Sequence, residues 1–325
     1  MVGAGAAGLA TAIFARRANA SRAVVLLEGA RKPGAKILVS GGSRCNVTNA
    51  TVTDADFWGG RRSIIRRILR ALPVAETIAF FAALGVSLHE EANGKLFPDS
   101  NRSRDVLEAL LREVDAAGGV LHAGHRVEDV VPDAAGFRLV TSTGEMWATR
   151  VVLATGGRSL PKSGSDGAGI EIARRLGHTI VPLTPALTPL LLAEHDALHG
   201  RLSGVAHEVE LSIWIDGIVS ERLAGALLWT HVGVSGPVAL NASRHWLRAE
   251  LEGTVATIAV NFCGGAGFDT VDRTWTELTR TRPKASVQHL LTTMMPASVG
   301  SALLAGLDID GATPAAHFNR DDRRR

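Results

Sequence analysis

Met1-Val-Gly-Ala-Gly-Ala-Ala-Gly-Leu9 decides the reading of the fold, because Gly3, Gly5 and Gly8 spell G-x-G-x-x-G at the mouth of an apolar helix. Gly3 permits a tight turn out of a strand, Gly5 lets backbone approach a pyrophosphate, and Gly8 lets the helix lie close against a sheet. The helix N-terminus then offers unpaired N–H groups and the positive end of its dipole to negative charge. Leu9 to Ala18 read as that helix and Ala23 to Leu27 as a short buried strand. Glu28 stands at the strand's end, twenty positions after Gly8. An acid there accepts hydrogen bonds from ribose hydroxyls and repels a ribose phosphate, which favours FAD or NAD over NADP.

A chain of 325 residues suggests about two domains. Its 46% hydrophobic and 21% charged content is that of a soluble globular protein, and a formal charge of +3 does not by itself predict a nucleic-acid partner. The two cysteines, Cys45 and Cys263, lack metal-ligand spacing, so neither a metal site nor a disulfide framework is expected, and a cytoplasmic setting fits best. No uncharged run of about 18 residues could span a bilayer, so no membrane partner is expected.

After Glu28, residues 31 to 49 read as a loop-like stretch dense in glycine and small polar residues. Lys36 and Arg44 bring positive charge to it, and Ser40, Asn46, Thr48 and Asn49 bring hydrogen-bonding groups, as a segment wrapping a diphosphate would need. Two helices follow over residues 61 to 85. In the first, Ile64, Ile65, Ile68, Leu69 and Leu72 share one face and Arg62, Arg66, Arg67 and Arg70 lie largely on the other. With no aromatic residue interleaved to stack bases, that basic face reads as a solvated surface more readily than as an RNA contact. Pro73 opens the second helix, Ser103 is placed to cap a third, and Gly118-Gly119 end it.

The period then shortens. Residues 119 to 122 and 127 to 131 read as strands, 137 to 141 and 145 to 148 as a hairpin, and 150 to 154 as a buried strand running into Thr155-Gly156-Gly157. Asp166 is placed to cap a helix through Leu176. Pro182, Pro185 and Pro189 mark the exit from the first domain. Glu208 to Ile215 alternates strictly, Asp216-Gly217 can turn it, and Thr254 to Phe262 is a further strand, so the second region reads as an antiparallel sheet. Thr230, His231 and Ser235 there suit a ligand and a structural role equally. Helical segments begin near Val271 and Ser286.

The opening GAGAAGL, the KILVSGGSRCNVTN block, the ATGG strand end, the GSDGAG helix start and THVGVSGP together resemble the BaiN-like NAD(P)/FAD-dependent oxidoreductases, also known as the aminoacetone-oxidase family of flavoproteins. The resemblance covers nearly the whole chain. It implies an α/β fold: a Rossmann-like FAD-binding domain of glutathione-reductase type over residues 1 to 187, with a helical segment at about 55 to 118, and an inserted, mostly antiparallel β domain with C-terminal helices over 188 to 325. It also implies that Gly3, Ala4, Gly5, Ala6, Ala7 and Gly8 hold the FAD diphosphate and Glu28 the adenosine ribose. Lys36, Ser40, Gly41, Gly42, Arg44, Cys45 and Asn46 would face the diphosphate and flavin. Val127 would meet the adenine through its backbone, and Ala154, Thr155, Gly156 and Gly157 would line the same cofactor. The family usually shows a glycine where Ser43 stands, which departs from close backbone approach at that point.

The resemblance implies hydride transfer between NADH or NADPH, flavin and a small organic substrate such as a conjugated enone or an amine. No catalytic proton donor is marked by its spacing, and no protein partner is evident. An RNA-modifying flavoprotein and a non-catalytic flavin-binding protein are the alternatives. A strand needs about five or six residues, yet only Met1 and Val2 precede Gly3, and nothing after Thr254 resembles the closing GLYFAGE turn of such domains. The chain is therefore expected to be an inactive or weakly binding fragment at both ends, with Arg320 to Arg325 reading as the opening turn of a helix.

Overall fold

The computed structural model describes residues 1–193 and 197–324, which divide into two compact units, Met1–Val181 and Pro182–Arg325. Arg325 itself lies outside the described residues, and the turn before it, Asp322–Arg324, is a short 3-10 helix.

The first unit begins with Val2, which bridges in parallel to Leu27 on one side and Leu153 on the other. Helix α1 (Ala6–Ala18) then crosses to strand β1 (Val25–Glu28). Helix α2 (Ala35–Ser43) leads to β2 (Thr48–Asn49), helices α3 (Arg62–Ala71) and α4 (Val74–Ala83), and strands β3 (Leu88–Glu91) and β4 (Lys95–Pro98). Helix α5 (Ser103–Ala116), strands β5 (Val120–Ala123), β6 (Val127–Asp133), β7 (Gly136–Thr141) and β8 (Gly144–Ala148), and helix α6 (Ala168–Arg175) complete the unit. Strand β5 pairs in parallel with β1, so the central layer runs β5, β1, Val2, Leu153.

Both faces of this layer are covered, as parallel strands require. On one face, Leu9, Ala12 and Ile13 of α1 meet Val106, Leu107, Leu110 and Val114 of α5 in a core that also takes Ile37 and Phe80. The spacing of those α1 residues puts them on one side of the helix. On the other face, Val127, Val130 and Leu139 of the antiparallel β6-β7-β8 sheet pack with Ile172 of α6 against Val2 and Leu27.

Three local expectations are corrected. Residues 31 to 49 are not simply loop: Ala35 to Val39 wind into the first turn of α2 before the chain breaks at Ser40 and turns left-handed at Gly41 and Gly42. Residues 150 to 154 do not form a strand but contribute the single bridge at Leu153, because among the described residues their one neighbour in the layer is Val2, whose N–H donates to Val152 O (2.9 Å) and whose carbonyl accepts from Ala154 N (2.8 Å). Ser103 does not cap α5. It is the first helical residue, and its hydroxyl donates to the Leu38 carbonyl (3.0 Å), tying α5 to α2.

In the second unit, β9 (Leu190–Leu191) and α7 (Ala197–Leu202) precede the long hairpin β10 (Ala206–Ile215) and β11 (Ile218–Thr230). Asp216 and Gly217 both have positive φ (48° and 78°), the conformation of a type I′ turn. Strand β12 (Gly233–Ser235), helix α8 (Gly236–Glu252), strand β13 (Ala256–Asn261) and helices α9 (Phe268–Thr281), α10 (Val287–Leu291) and α11 (Ala297–Gly306) follow. The sheet order is β13-β10-β11-β12-β9. Val209, Leu211 and Ile213, alternate residues of β10, pack with Val238, Ala239 and Ala242 of α8 and with Val299 of α11. Helix α8 has no counterpart in the sequence reading, although Pro237 in its first turn is a start signal.

Candidate functional site

A cavity of about 770 Å³ opens where Val2, β1 and Leu153 end and α1 begins, a volume usual for cofactor sites (about 300–1,000 Å³). Ligands of open α/β sheets sit at such carboxyl ends of the strands. Gly3, Gly5, Ala6 and Ala7 form one part of its wall, Glu28 and Lys36 another, and Ala154, Thr155 and Gly156 a third.

The three glycines of the opening stretch do different work. A Cβ on Gly3 (φ 100°) would lie 2.6 Å from the Ala154 carbonyl oxygen, and one on Gly8 would lie 1.9 Å from the Gly3 oxygen, so both serve the close fit of α1 to the layer. A Cβ on Gly5 would meet nothing within 4 Å. The space over Gly5 belongs to the cavity, and α1 starts there with no capping side chain and no acid in its first turn. Its leading N–H groups are thus presented to whatever occupies the cavity. These are the features a dinucleotide diphosphate needs, and the residues present fit that group.

Glu28 is held by backbone: one carboxylate oxygen accepts from Ala4 N (2.8 Å) and the other from Ala30 N (2.9 Å). The acid is thereby fixed at the strand end with lone pairs remaining for a diol. Lys36 reaches across from α2, and its ammonium donates to Ser165 Oγ (2.7 Å) and Ser159 Oγ (3.0 Å). Ser165 is buried and donates in turn to the Gly157 carbonyl (3.0 Å). Gly156, at φ 75°, passes so close that a Cβ would sit 2.4 Å from Ser165 Oγ.

Ser40, Cys45, Asn46 and Val127 also line the cavity. Cys45 has positive φ (67°), and burial pushes its thiol pKa up, which keeps it protonated and a poor nucleophile. With its amide oriented to satisfy both ends, Asn46 donates to the Thr48 carbonyl (2.7 Å). Val127 lies on β6, an edge strand of its sheet.

Eight expected residues stand off the wall, among them Thr48 and Asn49, which form β2 and pair with β4. Ala4 is fully buried and spends its N–H on Glu28, and Gly8 is enclosed by packing. Gly41 is approached by the Phe97 ring and the Asn46 N–H, either of which a Cβ would meet within 2.8 Å. Gly42 and Gly157 are likewise absent from the lining. The Arg44 guanidinium is engaged elsewhere, bonded to Glu91 (2.5 Å) and lying 4.1 Å over the Phe97 ring. In the second unit, Thr230 has a structural partner, donating its hydroxyl to Gly233 O (3.0 Å).

Two side chains that the sequence reading left unassigned line the cavity as well. Ser165 stands one residue before Asp166, just ahead of the start of α6, whose N-cap is Gly167 and not Asp166 as expected. Arg126, one residue before β6, pairs with Asp166 (2.6 Å). Asp166 also accepts from Ala168 N (3.1 Å), and the Ala168 N–H first and the Arg126 guanidinium second hold its carboxyl below the usual range. Among the described residues no cluster of His, Cys, Asp and Glu could hold a metal ion, and no helix is long and apolar enough to cross a membrane.

The sequence profile of the HI0933-like protein Rossmann domain matches residues 1–284. The chain is 31% identical over 318 residues to the 3-dehydro-bile acid delta(4,6)-reductase of Clostridium scindens, a match covering 98% of this chain and 77% of that protein. It is 31% identical over 254 residues to the ribosomal RNA dihydrouridine synthase of Haemophilus influenzae, covering 77% of this chain and 62% of the other. The corresponding synthase of Escherichia coli is 28% identical over 299 residues, covering 91% and 70%.

Proposed function

The chain belongs to the HI0933-like Rossmann family of FAD-dependent oxidoreductases, and from that premise we propose that it binds FAD in the cavity at Gly5 and reduces a carbon–carbon double bond conjugated to a carbonyl. The observation that carries the cofactor assignment is the open backbone at Gly5 beside an uncapped helix start, with Glu28 fixed across from it. In this reading the N–H groups of α1 hold the diphosphate, Glu28 accepts from the ribose hydroxyls, and Lys36 with Ser165 supplies a positive, donor-rich wall. Bound FAD would supply a two-electron hydride carrier, with NADH or NADPH as the source of electrons.

The substrate class rests on chemistry shared by the relatives' names. A delta(4,6)-reductase acting on a 3-dehydro steroid and a dihydrouridine synthase both add two hydrogens to a double bond in conjugation with a carbonyl. Such a bond is polarised, so hydride goes to the carbon remote from the carbonyl and a proton to the nearer one. Amine oxidation is the competing small-molecule reaction.

The test is an anaerobic titration of purified protein with FAD and then NADH or NADPH. Bleached flavin bands should recover their colour on adding a simple cyclic enone, whereas a primary amine added to the oxidised, FAD-loaded protein should leave the bands unbleached. Protein that takes up no FAD, or reduced flavin that the enone leaves bleached, would reject the proposal. A second reading places the double bond in a uracil of RNA, and the arginine-bearing surface of α3 favours it.

A further inference from the structure

We propose that the outward face of α3, together with Phe57 and Trp58 before it, docks a single-stranded segment of RNA. This rests on the uracil reading above and assigns a surface to it. From residue 57 to residue 75 the chain carries Arg61, Arg62, Arg66, Arg67 and Arg70 and no acid. Arg66 is bonded to Asp54 (3.0 Å), which holds the short turn Asp54–Asp56 against the helix. No residue of α3 is fully buried.

The orientation of the helix decides what can sit on it. Ile65 and Leu69 are its half-buried residues and mark the inward side. At about 100° per residue, Arg67 then points directly outward, with Arg70 and Ile64 about 60° to either side of it. A helix that lies in a lipid surface turns its apolar sector toward the lipid. Here the apolar sector turns inward and sideways and the arginines lead, so a flat leaflet would meet charge first. A second copy of the chain would bring arginine against arginine. A polyanion meets the arginines favourably.

The aromatic platform missing from the helix itself is supplied by the residues before it. Phe57 is 47% exposed and Trp58 is 45% exposed, and Ile64 and Ile68 flank the basic ridge at 55% and 64%. Aromatic and aliphatic surface beside a row of arginines is what unstacked bases on a phosphate backbone require. A uracil cannot reach a flavin while stacked in a duplex, so the bound segment is one whose bases are already splayed. Helix α4, which follows at once after Pro73, reaches the cavity wall through Phe81, so the docking surface lies one helix from the cofactor site.

Fluorescence anisotropy of the full chain with a labelled oligouridylate, followed over rising salt, tests this. The parent should bind with log affinity falling linearly in log salt. The double variant Arg67→Gln/Arg70→Gln, altered only at exposed positions, should lose about 1.4 from that slope, two contacts at about 0.7 each on a single strand. Phe57→Ala should weaken binding several-fold and leave the slope unchanged. A double variant with the parent's affinity and slope would overturn the surface assignment, and so would charge-dependent co-sedimentation of the parent with phosphatidylglycerol vesicles in place of oligouridylate binding. A parent that binds no oligouridylate at low salt would remove the uracil reading itself, while enone turnover, measured separately, would still stand or fall by its own test.

Discussion

Glu28 carries two loads at one carboxylate, because it orders the backbone of Ala4 and Ala30 and faces the cavity. Glu28→Ala should therefore lower the melting temperature and also weaken FAD binding by roughly 1.5 to 3 kcal/mol, the usual loss of hydrogen bonds to a charged group. FMN, which lacks the adenosine ribose, should bind with little change. Equal FAD affinity in variant and parent would show that the acid serves the backbone alone. Ser43 is the second informative residue. It is exposed and sits at φ 68°, a left-handed conformation that costs a side chain of this chirality about 1–2 kcal/mol. Part of that is returned when glycine's freedom in the unfolded chain is counted. Ser43→Gly should raise stability by about 0.5–1 kcal/mol, read from denaturant midpoints at unchanged slope. Gly41→Ala, two residues earlier, should do the opposite, because its Cβ would press on the Phe97 ring at 2.7 Å.

Elements with strong period or punctuation were legible in the sequence: α1, α3, α4, α5, the β7-β8 hairpin, and β10 with the Asp216-Gly217 turn after it each carry their own spacing and stop signals. What stayed hidden depends on partners distant in the chain. The first turn of α2 has only five helical residues before Ser40, too few to show a period, and it is held by α5 through Ser103. Helix α8 went unread although Pro237 suits a first helical turn, because Gly236 before it and the small residues ahead of it carry no helical period. Within the site, the glycine triplet and Glu28 could be read because their motif is local, whereas Arg44 lost its expected role to Glu91 and Phe97, which no local spacing connects to it. The start of α6 shows the same coupling and gives a pH test. Asp166 accepts from Ala168 N and pairs with Arg126, and these hold its carboxyl below the unfolded value near 3.9. A depressed carboxyl contributes stability above the unfolded pKa and loses it as pH falls through the folded one. The stability difference between parent and Asp166→Asn should thus be present at neutral pH and vanish in acid below both values. It should also be small and shrink with salt, since the pair is partly exposed. A difference that persisted unchanged into acid would assign the effect to packing.

At the scale of the whole molecule, each unit has cores of its own: Leu9, Ile13, Leu26 and Leu110 in the first, and Leu202, Leu211, Ile213 and Leu227 in the second. The residues that fit FAD all belong to Met1–Val181, so the free energy of cofactor binding enters that unit first. At a free concentration one hundred times the dissociation constant it amounts to about 2.7 kcal/mol. Hydrogen exchange should register this as slower opening where the cavity is walled by backbone, over residues 3 to 9, 28 to 46 and 153 to 169. The strands β10 and β11 should exchange at the same rate with and without FAD, because their amides are already secured by their own ladder and by the core under α8. Val2 makes the expectation sharper. A single bridged residue joins β1 to Leu153, so the bonds Val2 N to Val152 O and Ala154 N to Val2 O carry the middle of the layer. A diphosphate seated on the turn between Val2 and α1 would stiffen those bonds directly, and the Val2 and Ala154 amides should show the largest slowing of all. Protection that rose equally in both units, or that left Val2 and Ala154 unchanged while FAD was demonstrably bound, would place the cofactor away from Gly5.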